Sequence, residues 1–171
     1  KFIKDPIIVN DKKECVYGEI LPSSINKIFD HLNLRGKNFL DIGSGLGKIV
    51  IQIALEYPIN TSSGIEISKK RYIISEIIKK KINTDIQNKI SFINKDINRY
   101  DQINYDLIFF SNLCFSNKQN LKISNILLKN KCILICLKEI ETLNEYLKYY
   151  ITNIESSWSN NINVYYYFIN L

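Results

Sequence analysis

One stretch decides the fold: Phe39-Leu40-Asp41-Ile42-Gly43-Ser44-Gly45-Leu46-Gly47. An apolar run ends in an acid, and three alternating glycines follow it. Glycine adopts backbone conformations that other residues avoid, and it lets a ligand approach the main chain closely. The G-x-G-x-G spacing differs from the G-x-G-x-x-G of dinucleotide sites. The stretch therefore predicts a strand, a ligand-binding turn and then a helix.

Outward from this stretch, apolar runs of strand length alternate with segments of helical periodicity. Strands are predicted over residues 38–42, 63–67, 90–94, 107–111 and 132–137. Helices are predicted over residues 23–32, 48–56, 69–81 and 117–128. In the third of these helices, the side chains expected to face inward are Ile73, Ile74, Ile77 and Ile78.

The C-terminal part breaks the simple alternation. Helical spacing predicts one more helix from the positions of Ile140, Leu143, Leu147 and Tyr150. Residues 150–157 and 163–170 then form two strand-like runs around an Asn-rich turn, which predicts a hairpin. Together these elements predict an α/β fold: a mostly parallel, seven-stranded sheet with helices on both faces and a C-terminal antiparallel hairpin. This is the Rossmann-like arrangement of class I methyltransferases.

Two further acids end predicted strands. Glu66 lies 25 residues after Asp41, and Asp96 follows the third strand. A carboxylate at the Glu66 position can accept hydrogen bonds from ribose hydroxyls, and one at the Asp96 position can accept from an adenine amino group. Each acid alone is more often a turn former or a helix cap. Three acids at the ends of three consecutive strands, beside a glycine turn, favour a nucleoside-containing ligand.

Composition limits the other functions. The formal charge is +6, and two basic clusters, Lys69-Lys70-Arg71 and Lys79-Lys80-Lys81, flank one predicted helix. A solvated helix face explains them better than a nucleic-acid patch, which stays a weaker possibility. The four cysteines form no C-x-x-C pair and His31 is the only histidine, so no metal site is expected. Without a signal peptide or an apolar run of ~18 residues, an intracellular protein with no membrane partner is expected, either cytoplasmic or nuclear.

Several collinear motifs carry a family resemblance. They are Val16-Tyr17-Gly18-Glu19-Ile20, the stretch from Asp41 to Ala54, Gly64-Ile65-Glu66, Leu107 to Phe115, Ser157-Trp158 and Val164-Tyr165-Tyr166. In this order the chain resembles the Dot-type (disruptor of telomeric silencing) histone-lysine methyltransferases from about Cys15 to Ile169. The chain divides accordingly into an N-terminal segment, residues 1–22, and a methyltransferase domain, residues 23–171.

The resemblance implies a cofactor, a substrate class and a set of site residues. The cofactor is S-adenosyl-L-methionine, and the acceptor is a lysine of a histone or of another basic protein. The cofactor would be held by Glu19, Asp41, Gly43, Ser44, Gly45, Gly47, Glu66, Ile67, Asp96, Ile97 and Phe109. Methyl transfer would involve Tyr17, Ser111, Asn112 and Tyr165. Aromatic walls of an acceptor channel would come from Tyr17, Phe109, Phe115, Trp158 and Tyr165.

The chain departs from that family at two positions. Ser111 stands where the family has the first of two asparagines, and Lys48 replaces its usual glutamine. Ser111-Asn112-Leu113-Cys114 contains no proline, which disfavours the nucleic-acid amino methyltransferases. A ribose methyltransferase using Lys95-Asp96 and Lys138-Glu139 has no further support. Two alternatives stay open: a methyltransferase that acts on a non-histone protein or on RNA, and a non-catalytic cofactor-binding module.

Overall fold

A computed structural model describes residues 3–4 and 16–171 of the chain, with side chains described from residue 18 onward. Its main element is a seven-stranded sheet with strand order β5-β4-β3-β6-β7-β9-β8. The strands are β3 (Asn38–Ile42), β4 (Thr61–Glu66), β5 (Ile90–Asn94), β6 (Leu107–Phe110), β7 (Cys132–Cys136), β8 (Leu147–Ile154) and β9 (Ile162–Ile169). A separate antiparallel pair joins β1 (Ile3–Lys4) to β2 (Val16–Tyr17).

Strands β3 to β7 are parallel, and β9 returns antiparallel between β7 and β8. The helices are α1 (Pro22–Phe29), α2 (Lys48–Glu56), α3 (Lys69–Lys79), α4 (Thr84–Gln87) and α5 (Asn117–Leu127). Short 3₁₀ helices cover Ile97–Arg99, Asn112–Cys114 and Glu141–Tyr146. The prediction of a Rossmann-like class I methyltransferase fold with a C-terminal antiparallel hairpin is confirmed, and most element boundaries agree to within two residues.

The central strands are buried on both faces, which fixes the two halves of the core. Phe39 and Phe109 face one side, where they pack with Ile28 of α1 and Val50 of α2. Alternate residues of the same strands, such as Leu40 and Phe110, face the other side and pack with Ile123 and Leu127 of α5. Because successive strand residues point to opposite faces, one sheet supports both layers of helices.

The prediction that α3 turns its isoleucines inward is wrong. Of the four predicted isoleucines, Ile73, Ile74 and Ile77 are exposed and only Ile78 is half-buried, whereas Arg71 and Ser75 are buried. Two contacts rotate the helix in this way. Arg71 lies 3.9 Å from Glu66 at the end of β4, and the small Ser75 lies close to the backbone at Gly47. The isoleucines are left on the outer face.

The prediction of a helix through Ile140, Leu143, Leu147 and Tyr150 is also wrong. A 3₁₀ helix ends at Tyr146, and β8 begins at Leu147. Half-buried and exposed side chains alternate from Leu147 to Ile151, which is the two-residue period of a strand paired with β9. Within the described part of the chain, none of the helices is both long and apolar enough to cross a membrane.

Candidate functional site

A cavity of about 390 Å³ opens at the carboxyl ends of the parallel strands. Ligands of open parallel sheets bind at this edge. The cavity brings together thirteen of the residues predicted from sequence: Glu19, Asp41, Gly43, Ser44, Gly45, Glu66, Ile67, Asp96, Ile97, Phe109, Ser111, Phe115 and Trp158. Gly47, Asn112 and Tyr165 do not line it, and the side chain of Tyr17 lies outside the described part of the chain.

The glycine turn forms one wall of the cavity. The backbone N–H groups of Gly43 and Ser44 both donate to the carbonyl of Ile65, at 2.8 and 3.0 Å. Gly43 and Gly45 have φ values of +80° and +56°, a region that favours glycine. The turn is thereby tied to β4 with its backbone against the cavity.

Gly47 has a packing role in this structure. It precedes α2 with φ +78°, and a Cβ atom there would lie 2.3 Å from the ring of Phe92. The residue lets α2 begin close to β5. The third glycine of the motif thus sets the approach of a helix to the sheet, which is the part glycine plays in related nucleotide-binding turns.

Glu66 is buried and held by the backbone around it. Its Oε2 accepts from the Gly45 N–H at 2.9 Å, and its Oε1 accepts from the Ser68 N–H at 2.7 Å. Arg71 supplies a positive charge 3.9 Å from Oε1. Each carboxylate oxygen has a further lone pair. Glu66 can therefore accept hydrogen bonds from a ligand without losing its anchors.

Asp41 lies beside Glu66 and is also buried. Burial raises the pKa of its carboxyl from 3.8 to about 8, and the negative charge of Glu66 adds to the rise. Such a group is poised to ionise when a positive charge enters the cavity, because an opposite charge favours the carboxylate. The pair therefore suits a cationic ligand.

The hydroxyl of Ser44 is an orphan in the cavity wall. Its Oγ is buried and has no hydrogen-bond partner among the described residues. Gly64 makes room for it, because a Cβ atom at that position would lie 2.6 Å from this Oγ. A buried hydroxyl without a partner costs free energy, on the order of 1–3 kcal/mol. The hydroxyl is packed against Gly64 and is not exposed in the cavity.

The end of β5 contributes the third acidic side chain at a strand end, Asp96, to the wall. Asp96 precedes a 3₁₀ helix, and its Oδ1 accepts from the N–H and the Nδ2 of Asn98, both at 2.9 Å. Ile97 follows and is buried. The arrangement places a carboxylate next to an apolar surface, as recognition of an adenine ring requires.

The far wall is aromatic and apolar. It consists of Phe109, Ser111, Leu113, Cys114 and Phe115. The ring of Phe115 meets that of Phe110 edge to face, with centroids 4.7 Å apart.

Asn112 is fully buried and turned away from this wall. Its Oδ1 accepts from the N–H groups of Leu137 and Lys138, and its Nδ2 donates to the Lys138 carbonyl. The carboxamide therefore joins the end of β6 to the chain leaving β7. Tyr165 lies on β9 opposite Tyr150, with ring centroids 5.8 Å apart.

The N-terminal segment and the hairpin loop meet at the cavity mouth. The Glu19 N–H donates to Ser157 Oγ at 3.1 Å, and the Ser157 N–H donates to the Glu19 carbonyl at 2.8 Å. A Cβ atom on Gly18 would lie 2.4 Å from the Trp158 ring, so only glycine fits there. Lys48 then binds the Glu19 carboxylate at 2.7 Å. Two motifs 138 residues apart in sequence thus form one rim.

Sequence reasoning missed several residues of the wall. The cavity is also lined by Lys48, Arg71, Lys95, Asn98 and Gln119. In the sequence, Lys48 stands out only as a departure from the family pattern, and Arg71 only as part of a basic cluster. The ion pair of Arg71 had a usable signal, because Arg71 lies five residues after Glu66, on the first turn of the helix that follows the strand.

The sheet order, the glycine turn and the acids at the strand ends define a class I methyltransferase fold. Solved structures agree on the fold. An RNA methyltransferase from Salinibacter ruber, solved with S-adenosyl-L-homocysteine, superposes with a TM-score of 0.66 at 17% identity, covering 86% of this chain and 89% of that one. Magnesium protoporphyrin IX methyltransferase from Synechocystis PCC 6803, solved with its bound cofactor, gives 0.66 at 15% identity, over 85% and 78%.

Sequence comparison identifies the family. The profile described as histone methylation protein DOT1 matches residues 10–166, so the chain belongs to this family. A histone-lysine N-methyltransferase, H3 lysine-79 specific, from Candida glabrata is 30% identical over 85% of this chain and 27% of the relative. Its counterpart from Eremothecium gossypii is 28% identical over 73% and 24%. The chain thus spans about a quarter of the length of these curated relatives.

Proposed function

We propose that this chain is an S-adenosylmethionine-dependent methyltransferase domain that methylates a protein lysine, with a histone as the acceptor. The single observation that carries the proposal is the cavity in which the glycine turn meets the buried acids Asp41 and Glu66. Membership of the DOT1 family supports the lysine of a histone as the acceptor. The nucleus is the corresponding place of action.

The residues present fit the cofactor. S-adenosylmethionine carries an ammonium and a sulfonium, and the β3–β4 side of the cavity offers the carboxyl of Asp41, whose ionised form a nearby positive charge favours. Its ribose needs acceptors, which Glu66 provides through its remaining lone pairs. Its adenine needs an apolar surface beside an acceptor, which Ile97 and Asp96 provide. The exposed glycine backbone leaves space where a side chain would obstruct the ligand.

The chain's own contribution to the chemistry is alignment and exclusion of water. When bound, the cofactor supplies a methyl group on a sulfonium, which an amine nitrogen attacks by direct displacement. Orienting the two groups lowers the barrier without a covalent enzyme intermediate. The wall formed by Phe109, Leu113 and Phe115 disfavours an ammonium and so favours the neutral amine of the acceptor lysine. Ser111 is the polar group on this wall that can orient the amine.

A non-catalytic cofactor-binding module is the second candidate. One observation favours it: Asn112 and Tyr165, both proposed from the family resemblance for the transfer step, do not line the cavity. In that case the chain would bind the cofactor as tightly as an active methyltransferase does, but it would transfer no methyl group.

The two candidates separate in one experiment. We would titrate the purified chain with S-adenosylhomocysteine by calorimetry and then incubate it with core histones and tritiated S-adenosylmethionine. Binding followed by label on a histone lysine supports the methyltransferase. Binding without label on histones or other basic proteins supports the module. A folded chain that does not bind the nucleoside contradicts both candidates. Glu66→Ala is the control for the binding step.

A further inference from the structure

Helix α3 exposes apolar side chains that the fold does not use. Ile73, Ile74 and Ile77 are 44%, 38% and 52% exposed, and Ile67, just before the helix, is 59% exposed. In the described part of the chain, every exposed isoleucine lies between residues 67 and 77. An isoleucine-rich composition alone would scatter such residues over the whole surface. The concentration on one helix therefore needs a local cause, and contiguous exposed apolar side chains commonly mark interaction sites.

Lysines frame these isoleucines at both ends of the helix. Lys69 and Lys70 begin α3, Lys79 ends it, and Lys80 and Lys81 follow directly. Arg71 does not add to this surface, because it is buried against Glu66. Glu76 is the single acid in α3. The α3 face, defined here as Ile67, the three exposed isoleucines of α3 and the flanking lysines, is thus an apolar stripe between two positive ends.

We propose that the α3 face docks an acidic protein segment with its own apolar side chains, in the form of an amphipathic helix with Glu or Asp at its ends. Charge complementarity selects an acidic partner, and the isoleucines select a protein, because a phosphate backbone offers nothing to an apolar stripe. The same face of a second copy is disfavoured as the occupant, since an isologous contact would place lysines against lysines.

The position of the α3 face links it to the cavity. Ile67 belongs to the face and also lines the cavity mouth. A segment docked along α3 would therefore lie at the rim of the cavity. The docking does not depend on methyl transfer, so it goes beyond the proposed function and can be tested in the absence of any cofactor.

A peptide selection tests the proposal without assuming the natural partner. Random 16-residue peptides displayed on phage are selected against the full chain, and the enriched sequences are resynthesised for affinity measurements. We expect enriched peptides to combine Asp or Glu with apolar residues at three- and four-residue spacing. When an enriched peptide is added to the ¹⁵N-labelled chain, the amide cross-peaks of residues 67–81 of the chain should shift.

Matched variants then locate the binding. Ile74→Ser with Ile77→Ser should weaken the selected peptides by about tenfold or more, since two partly exposed side chains lose their burial. Lys80→Glu with Lys81→Glu should weaken them about fivefold, and this effect should shrink at high salt. Leu121→Ser removes an equally exposed apolar residue, 46% exposed on α5, and should leave the affinity unchanged. All these positions are on the surface, so the variants should keep the melting temperature of the wild type.

Three results would overturn the proposal. The first is enrichment of peptides that are basic or uncharged, or no enrichment at all. The second is binding that is unaffected by the isoleucine and lysine variants. The third is tight binding of a 15-residue oligothymidylate that is lost in the same variants, which would assign the α3 face to nucleic acid.

Discussion

The two sides of the cavity use their polar side chains in different ways. On the β3–β4 side, the carboxyl groups of Asp41 and Glu66 line the cavity, and backbone N–H groups hold Glu66 in place. On the β6–β7 side, the Asn112 carboxamide is fully used in joining two strand ends, and Ser111 remains as a polar group among apolar walls. The polar groups of the first side are available to a charged ligand, whereas the Asn112 carboxamide of the second side stabilises the backbone of the chain itself. We therefore expect changes on the two sides to have different signatures.

The largest effect should come from Glu66→Ala. The change removes the acceptor for two backbone N–H groups and the carboxylate that lies 3.9 Å from the buried Arg71 guanidinium. We expect affinity for S-adenosylhomocysteine to fall by about 100-fold, on the basis of two lost charge-assisted hydrogen bonds, and stability to fall by about 3–5 kcal/mol. Calorimetry and urea unfolding measure the two quantities.

The control for Glu66 lies on the same helix as its partner. Glu76→Ala removes an acid of α3 that does not line the cavity, and it should change neither quantity appreciably. Glu66→Gln should bind more tightly than Glu66→Ala because it keeps one acceptor oxygen. Wild-type affinity in Glu66→Ala would contradict the assignment of this side of the cavity.

The second prediction concerns the pH dependence of Asp41. Its folded pKa is raised to about 8 from 3.8, so between these values the folded chain holds a proton that the unfolded chain releases. Stability contributed by this group therefore falls as pH rises from about 4 to about 8, by at most about 1.4 kcal/mol per pH unit. Asp41→Asn should remove this slope and be the more stable protein at pH 7. Urea unfolding of both proteins from pH 5 to pH 8 measures the difference.

Ligand binding should reverse that proton uptake. A cationic ligand beside Asp41 favours its carboxylate, so binding of S-adenosylmethionine should release a proton below pH 8 and tighten as pH rises. Calorimetry in buffers of different ionisation enthalpy counts the protons released. Asp41→Asn should bind more weakly and release none. Equal proton counts in the two proteins would show that the charge on this side of the cavity does not face the ligand.

The third prediction addresses the other side of the cavity. Asn112→Ala removes three hydrogen bonds between the end of β6 and the chain after β7. We expect it to lose about 2–4 kcal/mol of stability and to keep its affinity for S-adenosylhomocysteine. Ser111→Ala should have the opposite signature to Asn112→Ala. Its free energy of unfolding should be unchanged, and its rate of methyl transfer to histones should be lower. A wild-type rate in Ser111→Ala would remove it from the transfer step.

The same contrast explains what could be predicted from the sequence. The glycine turn is a local signal, because it directly follows the apolar strand β3. Glu66 is the last residue of β4 and is recognisable by its distance of 25 residues from Asp41. The fold followed from the alternation of strands and helices. For Asn112 the type of residue was informative but the direction of its side chain was not, since that depends on Lys138, which is 26 residues away.

The errors on α3 and β8 have a related physical origin. Periodicity identified α3 as a helix, but its orientation was set by the ion pair of Arg71 with Glu66 and by the small Ser75 near Gly47. In the segment after β7, apolar residues fit a helical spacing equally well, and pairing with β9 decided for a strand. Tertiary contacts overrode the local pattern in both cases. Neither contact can be read from a spacing of apolar residues.

The smallest effect should come from Lys48→Gln, which introduces the residue usual in the resembling family. The Lys48–Glu19 ion pair is short, at 2.7 Å, but its side chains are 59% and 30% exposed. Exposed pairs of this kind contribute about 0–1 kcal/mol. We expect a stability change within that range at low salt and none at high salt, because the charges are screened. Thermal unfolding at two salt concentrations measures it.

The affinity of Lys48→Gln for S-adenosylmethionine then distinguishes the two roles of the cavity mouth. If the ion pair only joins Glu19 to α2, the change in affinity should be as small as the change in stability. Both changes should then disappear at high salt. If Lys48 also meets the ligand, the affinity should change while the stability does not, and the change should persist in Glu19→Gln. The first outcome assigns the mouth to the structural side of the comparison, and the second to the ligand-binding side.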